Sequence, residues 1–422
     1  MTPPPNRIRV LYCESNVDGT IGGSHYCLLY LIENLDQTRF EPIVIFYQDH
    51  PLVARFRESA ETLVLDKPTP FTLGPLRRGF HRRQPILALP LTFVQRSINF
   101  AGWVALVRRY VRFLRERNIR IVHLNNSIIR HHDWMAAALT SGTPCIAHER
   151  GINRSYSAAS RFFSKRMHGV ISMSKSIRDF MVAGKVDDTN IHVIYDGINP
   201  AKLRREKDAD AVRAQLGLST DRPVIGIVGN VRHWKGQEVV IKAAARLVDR
   251  HPTLACLIVG ATAPVDQPYE DRLRALVRER GLESNVIFCG YQKFPADFVN
   301  VMDVVVHASV EPEPFGMVVL EAMGMRKPLI GSRAGGVPEM VVEGVTGFTF
   351  PPGDDETLAS RLDELPRDPA RARAMGEAGH DRVVRDFSVE KYADEVEAFY
   401  DDLLAGRTPP VREPSATTPA AS

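Results

Sequence analysis

Cysteine is scarce: five residues among 422, at positions 13, 27, 145, 256 and 289. They are too few and too scattered for a disulfide framework or a zinc site, and free thiols in apolar runs behave as small buried hydrophobes. Long hydrophobic runs are missing too. The most apolar stretch, 85–94, is too short to span a bilayer and is followed by Gln95 and Arg96. Mean hydropathy is -0.16. The opening MTPPPNRIRVLY enters a strand pattern without an apolar core of signal-peptide length. These absences lead us to expect a cytoplasmic protein in a reducing compartment, with peripheral attachment to the inner face of the plasma membrane left open. Composition (44% hydrophobic, 25% charged, 8% aromatic) excludes collagen-like, wholly disordered and multi-span membrane classes.

At this length two domains are expected. The net charge of +4 hides an asymmetry: residues 1–200 carry 26 Lys+Arg against 16 Asp+Glu, and the remainder 28 against 34. A basic half and an acidic half suggest different partners. Short β-branched runs alternate with amphipathic stretches. Strands are expected at 8–12, 42–47, 119–124, 144–148, 169–173 and 191–194, then at 224–228, 254–259, 286–289, 304–307 and 328–331. Helices are expected at 24–35, 103–117, 133–140, 175–183, 237–250, 269–280 and 317–323. Apolar strands separated by helices indicate parallel sheets covered on both faces. The series occurs twice around a polar segment, 199–221, which predicts two doubly wound α/β domains. Residues 388–404 read as a terminal helix with Tyr392, Val396, Phe399 and Leu403 on one side. The Pro-rich tail 406–422 reads as disordered.

The strongest chemical signal is Glu313-Pro-Phe-Gly-Met-Val-Val-Leu-Glu321. Its first glutamate lies in a Pro/Gly loop after an apolar strand and its second on a helix. Phe315-Gly316-Met317 form the loop-to-helix turn, where free N–H groups and the positive dipole end suit a phosphate. Glu321, two turns along, has the acceptor oxygens that paired ribose hydroxyls need. Gly335-Gly336-Val337-Pro338-Glu339 follows. Upstream, Gly229-Asn-Val-Arg232-His-Trp-Lys235-Gly236 places two cations at the entry to a helix, suited to a diphosphate without a metal.

These elements resemble the donor site of retaining GT-B glycosyltransferases of family 4. The first half agrees, with Gly22-Gly23 opening a helix after the first strand, Ser172-Met-Ser174 after a strand, and Tyr195-Asp196-Gly197-Ile198-Asn199 before the linker. The resemblance runs from about residue 7 to 400. It implies two Rossmann-like doubly wound domains facing across a cleft: an acceptor-side domain at 6–198, joined by a helix at 388–405 that crosses back, and a nucleotide-sugar donor domain at 199–387. It implies that Arg232 and Lys235 neutralise the diphosphate, and that Glu313 contacts the sugar hydroxyls. Phe315, Gly316 and Met317 then offer backbone amides, Glu321 binds the ribose, and Gly22 and Gly23 let the first loop approach phosphate and acceptor. Charge on the departing diphosphate is stabilised by fixed cations and dipoles. No second catalytic carboxylate, cofactor or metal is then required. The expected partners are a UDP- or GDP-sugar donor and a glycan or lipid-linked acceptor, in cell-envelope or polysaccharide biosynthesis.

The sequence departs from the family after strand 119–124. Many members carry His-x-His there, whereas this chain has His123-Leu124-Asn125, and an asparagine can only hydrogen-bond. His131 and His132 follow. His148, at the end of the next strand, is the first-domain histidine expected to be catalytic, and His123 is expected to be buried. Asp208-Ala-Asp210 has the D-x-D form of a metal motif but lies in a charged linker. Gly226-Ile-Val-Gly229 lacks the acidic partner of a dinucleotide fingerprint. Residues 67–120 hold twelve Lys+Arg and one acid, Glu116, interleaved with Phe71, Phe80, Phe93, Phe100, Trp103 and Tyr110. No base-reading module accompanies them, so a basic amphipathic surface for anionic lipid or an anionic acceptor is expected rather than nucleic acid, the plain alternative being a solvated helix face over buried core. Two rival readings of the whole are a GT-B nucleotide-sugar epimerase or hydrolase, and a non-catalytic GT-B binding scaffold.

Overall fold

The computed structural model describes residues 7–15, 21–67, 69, 71–72 and 88–407, without the side chains of 88–90 and 366. Arg77, Phe80 and the other residues of 73–87, and the tail from 408 on that was expected to be disordered, lie outside the described residues. The described residues group into two compact units. One holds those within 1–172, 180–193 and 394–412, and the other those within 173–179 and 194–393.

The first unit is built on a parallel sheet of β1 (Ile8–Cys13), β2 (Phe40–Phe46), β3 (Glu61–Val64), β4 (Ile119–Leu124), β5 (Cys145–Glu149), β6 (Gly169–Ser172) and β7 (Ile191–Val193), in the order β3-β2-β1-β4-β5-β6-β7. Central strands such as Ile43–Ile45 and Cys145–Ala147 are fully buried. This is what a sheet covered by helices on both faces requires of its apolar runs. The order reverses between β1 and β4. The end of the terminal helix Val389–Leu404 belongs here: Phe399 meets His192 edge-on at 4.8 Å between ring centroids. The Tyr400 hydroxyl lies 2.9 Å from that of Tyr12 and 2.5 Å from Nδ1 of His123. His123 is accordingly buried.

The second unit has a parallel sheet of β8 (Val224–Val228), β9 (Ala255–Val259), β10 (Val286–Gly290), β11 (Val304–His307), β12 (Leu329–Ser332) and β13 (Phe348–Phe350), in the order β10-β9-β8-β11-β12-β13. Its core joins Ile225, Ile227, Val240, Ile241, Leu273 and Phe350. The reversal falls between β8 and β11. In such sheets ligands bind outside the strand C-termini at the reversal.

Two strands were not expected from the sequence. Both, β3 and β13, are short edge strands of four and three residues. The helix expected at 103–117 runs over Ala88–Glu116. Only its second half is anchored, by buried Val107, Tyr110 and Leu114, with the Tyr110 ring stacked on Trp134 at 3.8 Å.

Candidate functional site

In the second unit the chain leaves β8 through Gly229 and a single 3₁₀ turn, His233–Lys235, and enters helix Gln237–Leu247 at Gly236. Gly236 has φ +75°, and a Cβ there would lie 1.9 Å from the Ala308 carbonyl oxygen. Only glycine fits, and it lets this turn press on the segment leaving β11. The approach brings Lys235 Nζ to 2.6 Å from Glu313 Oε1.

Glu313 is held from every side. Its Oε2 accepts from Ser309 Oγ at 2.7 Å and lies 2.7 Å from His307 Nε2. Its own carbonyl accepts from the Gly336 amide at 3.0 Å. Gly335, at φ +64°, passes so close that a Cβ would sit 1.9 Å from that oxygen. Burial alone would raise the Glu313 carboxyl. The charge and hydrogen bond of His307, then those of Lys235, reverse this and hold it well below the ordinary carboxylate range.

The helix Met317–Gly324 starts at Gly316, which is left-handed at φ +99°. Among the described residues, no amide of Phe315, Gly316 or Met317 donates to a backbone carbonyl. The Phe315 ring is buried, stacked against Tyr195 at 5.7 Å. Glu321 projects from the same helix; burial raises its carboxyl and the charge of Lys235 opposes this. Arg232 does not join the cluster. It pairs with Asp266, Nε to Oδ2 at 3.2 Å. Glu339 is engaged too, accepting from the amides of Lys175 and Ser176 at 2.8 and 2.9 Å. Asp208 caps helix Ala209–Leu216 by accepting from the Ala211 amide at 2.8 Å, and Asp210 lies in that helix's first turn.

In the first unit, Gly22 and Gly23 open helix Gly23–Asn34, and nothing lies within 4 Å of where a Cβ would sit on either. Neither conformation nor packing demands glycine there. His148, the last residue but one of β5, is fully buried, its ring stacked on His123 at 5.6 Å. Burial, then the charges of Arg150 and His123, push it well below the ordinary histidine range. Asn125 donates to Glu14 Oε2 at 2.5 Å and accepts from Arg150 Nε at 2.7 Å. Glu149 accepts from Ser127 Oγ, the Ile128 amide and Asn153. Burial pushes its carboxyl up to about 7 against those hydrogen bonds.

The sequence reading missed Glu14, Glu149, Asp266, His307 and Ser309. All but Asp266 lie at or just after the C-terminal end of an apolar strand, a position where polar residues signal a site in this kind of sheet.

Two doubly wound parallel sheets, each with polar residues gathered at its strand reversal, define the chain as an α/β protein of two Rossmann-like units. The family models Glycosyltransferase Family 4 and Glycosyl transferases group 1 match residues 21–202 and 208–382. The lipopolysaccharide core biosynthesis mannosyltransferase LpcC of Rhizobium leguminosarum bv. viciae is 30% identical over 251 residues, which is 60% of this chain and 69% of that protein. The N-acetyl-alpha-D-glucosaminyl L-malate synthase of Bacillus anthracis is 30% identical over 215 residues, 51% of this chain and 54% of that one. The chain thus spans between about half and 69% of the length of these relatives. The crystal structure of Anabaena Alr3699/HepE in complex with UDP shares the fold at TM-score 0.76 and 22% identity, covering 94% of this chain and 100% of the other. This chain belongs to the group 1, family 4 glycosyltransferases of the GT-B fold.

Proposed function

We propose that the chain is a retaining glycosyltransferase that moves a sugar from a UDP- or GDP-sugar to a glycan or lipid-linked acceptor, in cell-envelope or polysaccharide biosynthesis. The observation that carries this reading is the Lys235–Glu313 pair at the β8/β11 reversal, beside the open amides that begin helix Met317–Gly324. Family membership and relatives that are themselves named glycosyltransferases support it.

Both cations meant for the diphosphate are already paired, Lys235 with Glu313 and Arg232 with Asp266. Donor binding then works by exchange. Phosphate oxygens take the Lys235 ammonium, which releases Glu313 Oε1, while His307 and Ser309 keep hold of Oε2. The freed oxygen accepts from sugar hydroxyls, so the carboxylate's orientation is set before the donor arrives. As the sugar–phosphate bond breaks, charge gathers on the leaving diphosphate, where Lys235, Arg232 and the helix amides stabilise it. In a same-face transfer a departing phosphate oxygen takes the acceptor proton. Glu321 accepts from the ribose hydroxyls.

The role of His148 follows from its surroundings. Held neutral beside His123 and Arg150, it acts as a hydrogen-bonding residue on the acceptor side rather than as a cation. No metal is required in this scheme, and turnover survives EDTA. A loss of activity that Mn²⁺ or Mg²⁺ restores would contradict it. The test is incubation with labelled UDP- and GDP-sugars, with and without candidate acceptors. Transfer that needs an acceptor and keeps the donor's anomeric configuration supports the reading; equal turnover without acceptor would show a hydrolase or epimerase instead.

A further inference from the structure

Helix Ala88–Glu116 divides into two halves of different character. From Val107 onward it is anchored in the first unit, but none of residues 91–102 is buried. That free half is not polar. Phe93 is 73% exposed, Phe100 65%, and Val94 and Ile98 nearly half. Phe93 and Phe100 lie two turns apart on one side, and Val94 and Ile98 lie one turn apart beside them. Phe71, also exposed, adjoins this half through its carbonyl, which accepts from Asn99 at 3.0 Å.

The face continues along the helix at three- and four-residue steps, through Ala101 and Ala105 to Arg108 and Arg112, all exposed. Arg96 and Arg109 flank it. These four arginines meet no carboxylate among the described residues, and the helix's single acid, Glu116, stands near its far end. Arg108 follows Phe100 by about 12 Å along the axis, at 1.5 Å per residue. No helix among the described residues is long and apolar enough to cross a membrane.

We propose that this free half is a docking element for an anionic lipid surface. Phe93, Val94, Ile98 and Phe100 enter the headgroup–acyl boundary, and Arg96, Arg108, Arg109 and Arg112 meet the anionic headgroups. An apolar tip followed by a collar of long cations is the arrangement such a boundary accepts, because arginine stems cross apolar surface while their heads stay among the phosphates. A second copy of the chain is a poor occupant, since it would bring an equally basic face against this one. The proposal deepens the lipid side of the acceptor reading and is independent of the donor site, whose nucleotide binding is measured without lipid.

The test is cosedimentation of the full chain with phosphatidylcholine vesicles, with and without phosphatidylglycerol, at low salt. The wild type is expected to pellet with the anionic vesicles only. Phe93→Ser with Phe100→Ser lowers the partition coefficient roughly tenfold or more. Arg108→Ser, Arg109→Ser and Arg112→Ser together weaken binding similarly, while nucleotide affinity in solution stays at the wild-type value in both variants. Lipids brominated on the acyl chain quench tryptophan fluorescence in the wild type, and less in Trp103→Phe. Failure of the wild type to bind anionic vesicles overturns the proposal. So does retained binding by the phenylalanine variant without quenching, which would mean surface electrostatics alone. A dimer that the phenylalanine changes dissolve, in a protein that ignores vesicles, would assign the face to a second copy.

Discussion

The two units share one strand order, the first adding only a seventh strand at its far edge, but they fill the reversal differently. In the second, one lysine and one glutamate meet in an ion pair that an anion can replace, while His307 and Ser309 hold the glutamate's other oxygen. In the first, amides, a buried arginine and two carboxylates satisfy one another, and both strand-end histidines stay neutral. The difference teaches that one sheet topology gives a place for a ligand without fixing its chemistry. A cluster built around an exchangeable ion pair suits a charged nucleotide. A cluster built on amides and carboxylates suits a neutral, hydroxyl-rich molecule.

The largest expected effect separates the two clusters most sharply. Lys235→Ala should lower the rate of transfer by about 10²–10³, the scale for losing one fixed group that stabilises developing charge. Arg150→Met in the first unit should instead cost roughly 1–3 kcal/mol of folding stability, by leaving hydrogen-bond partners unmet. Its nucleotide affinity should stay unchanged. Kinetics and urea unfolding on both variants check this; equal effects on nucleotide binding would erase the distinction.

Next comes the pH response of the first cluster. Glu149 keeps its proton in the folded protein up to about 7, whereas the unfolded chain releases it near the ordinary value of 4.5. Between these values the unfolded state binds fewer protons, so stability falls as pH rises through the window and the loss is complete above it. At 1.36 kcal/mol per unit, the loss is at most about 3 kcal/mol. Urea titrations at the two ends of the window should show this decline in the wild type and a flatter response in Glu149→Gln.

Gly236→Ala tests the close approach that builds the second cluster. A side chain at φ +75° against the Ala308 carbonyl should cost about 2 kcal/mol or more, read as a lowered midpoint of denaturation. Gly22→Ala, with open space around it, should cost far less. The smallest effect concerns the outer cation. The Arg232–Asp266 pair is partly exposed and worth no more than about 1 kcal/mol, so Asp266→Asn should tighten nucleotide diphosphate binding by up to about fivefold. Weaker binding in that variant would mean Arg232 needs its partner to be in place.

How much of this was legible follows from the same physics. Helix Lys175–Ala183 and strand Val304–His307 were read to the residue, because strong periodicity or an unbroken β-branched run marks both. The strands at the sheet edges lack an unbroken β-branched run: Glu61–Val64 has no buried residue, and Phe348–Phe350 sets aromatics either side of Thr349. The free half of Ala88–Glu116 has no buried face to print a helical period on the sequence. At the site, Glu313, Glu321, Lys235 and the glycines were legible because each motif is contiguous. The grip of His307 and Ser309 on Glu313, and the pairing of Arg232 with Asp266, depend on which loops the sheet brings together, and no local pattern encodes that.

The central claim is that the second cluster is a metal-independent nucleotide diphosphate site built around Lys235. Calorimetric titration with UDP and with GDP, in EDTA, tests it on the wild type, Lys235→Ala and Asn125→Ala. The account predicts that one of the two nucleotides binds the wild type, binds Lys235→Ala at least about tenfold more weakly, and binds Asn125→Ala as tightly as the wild type. Unchanged binding to Lys235→Ala, or binding that vanishes in Asn125→Ala alone, would contradict it.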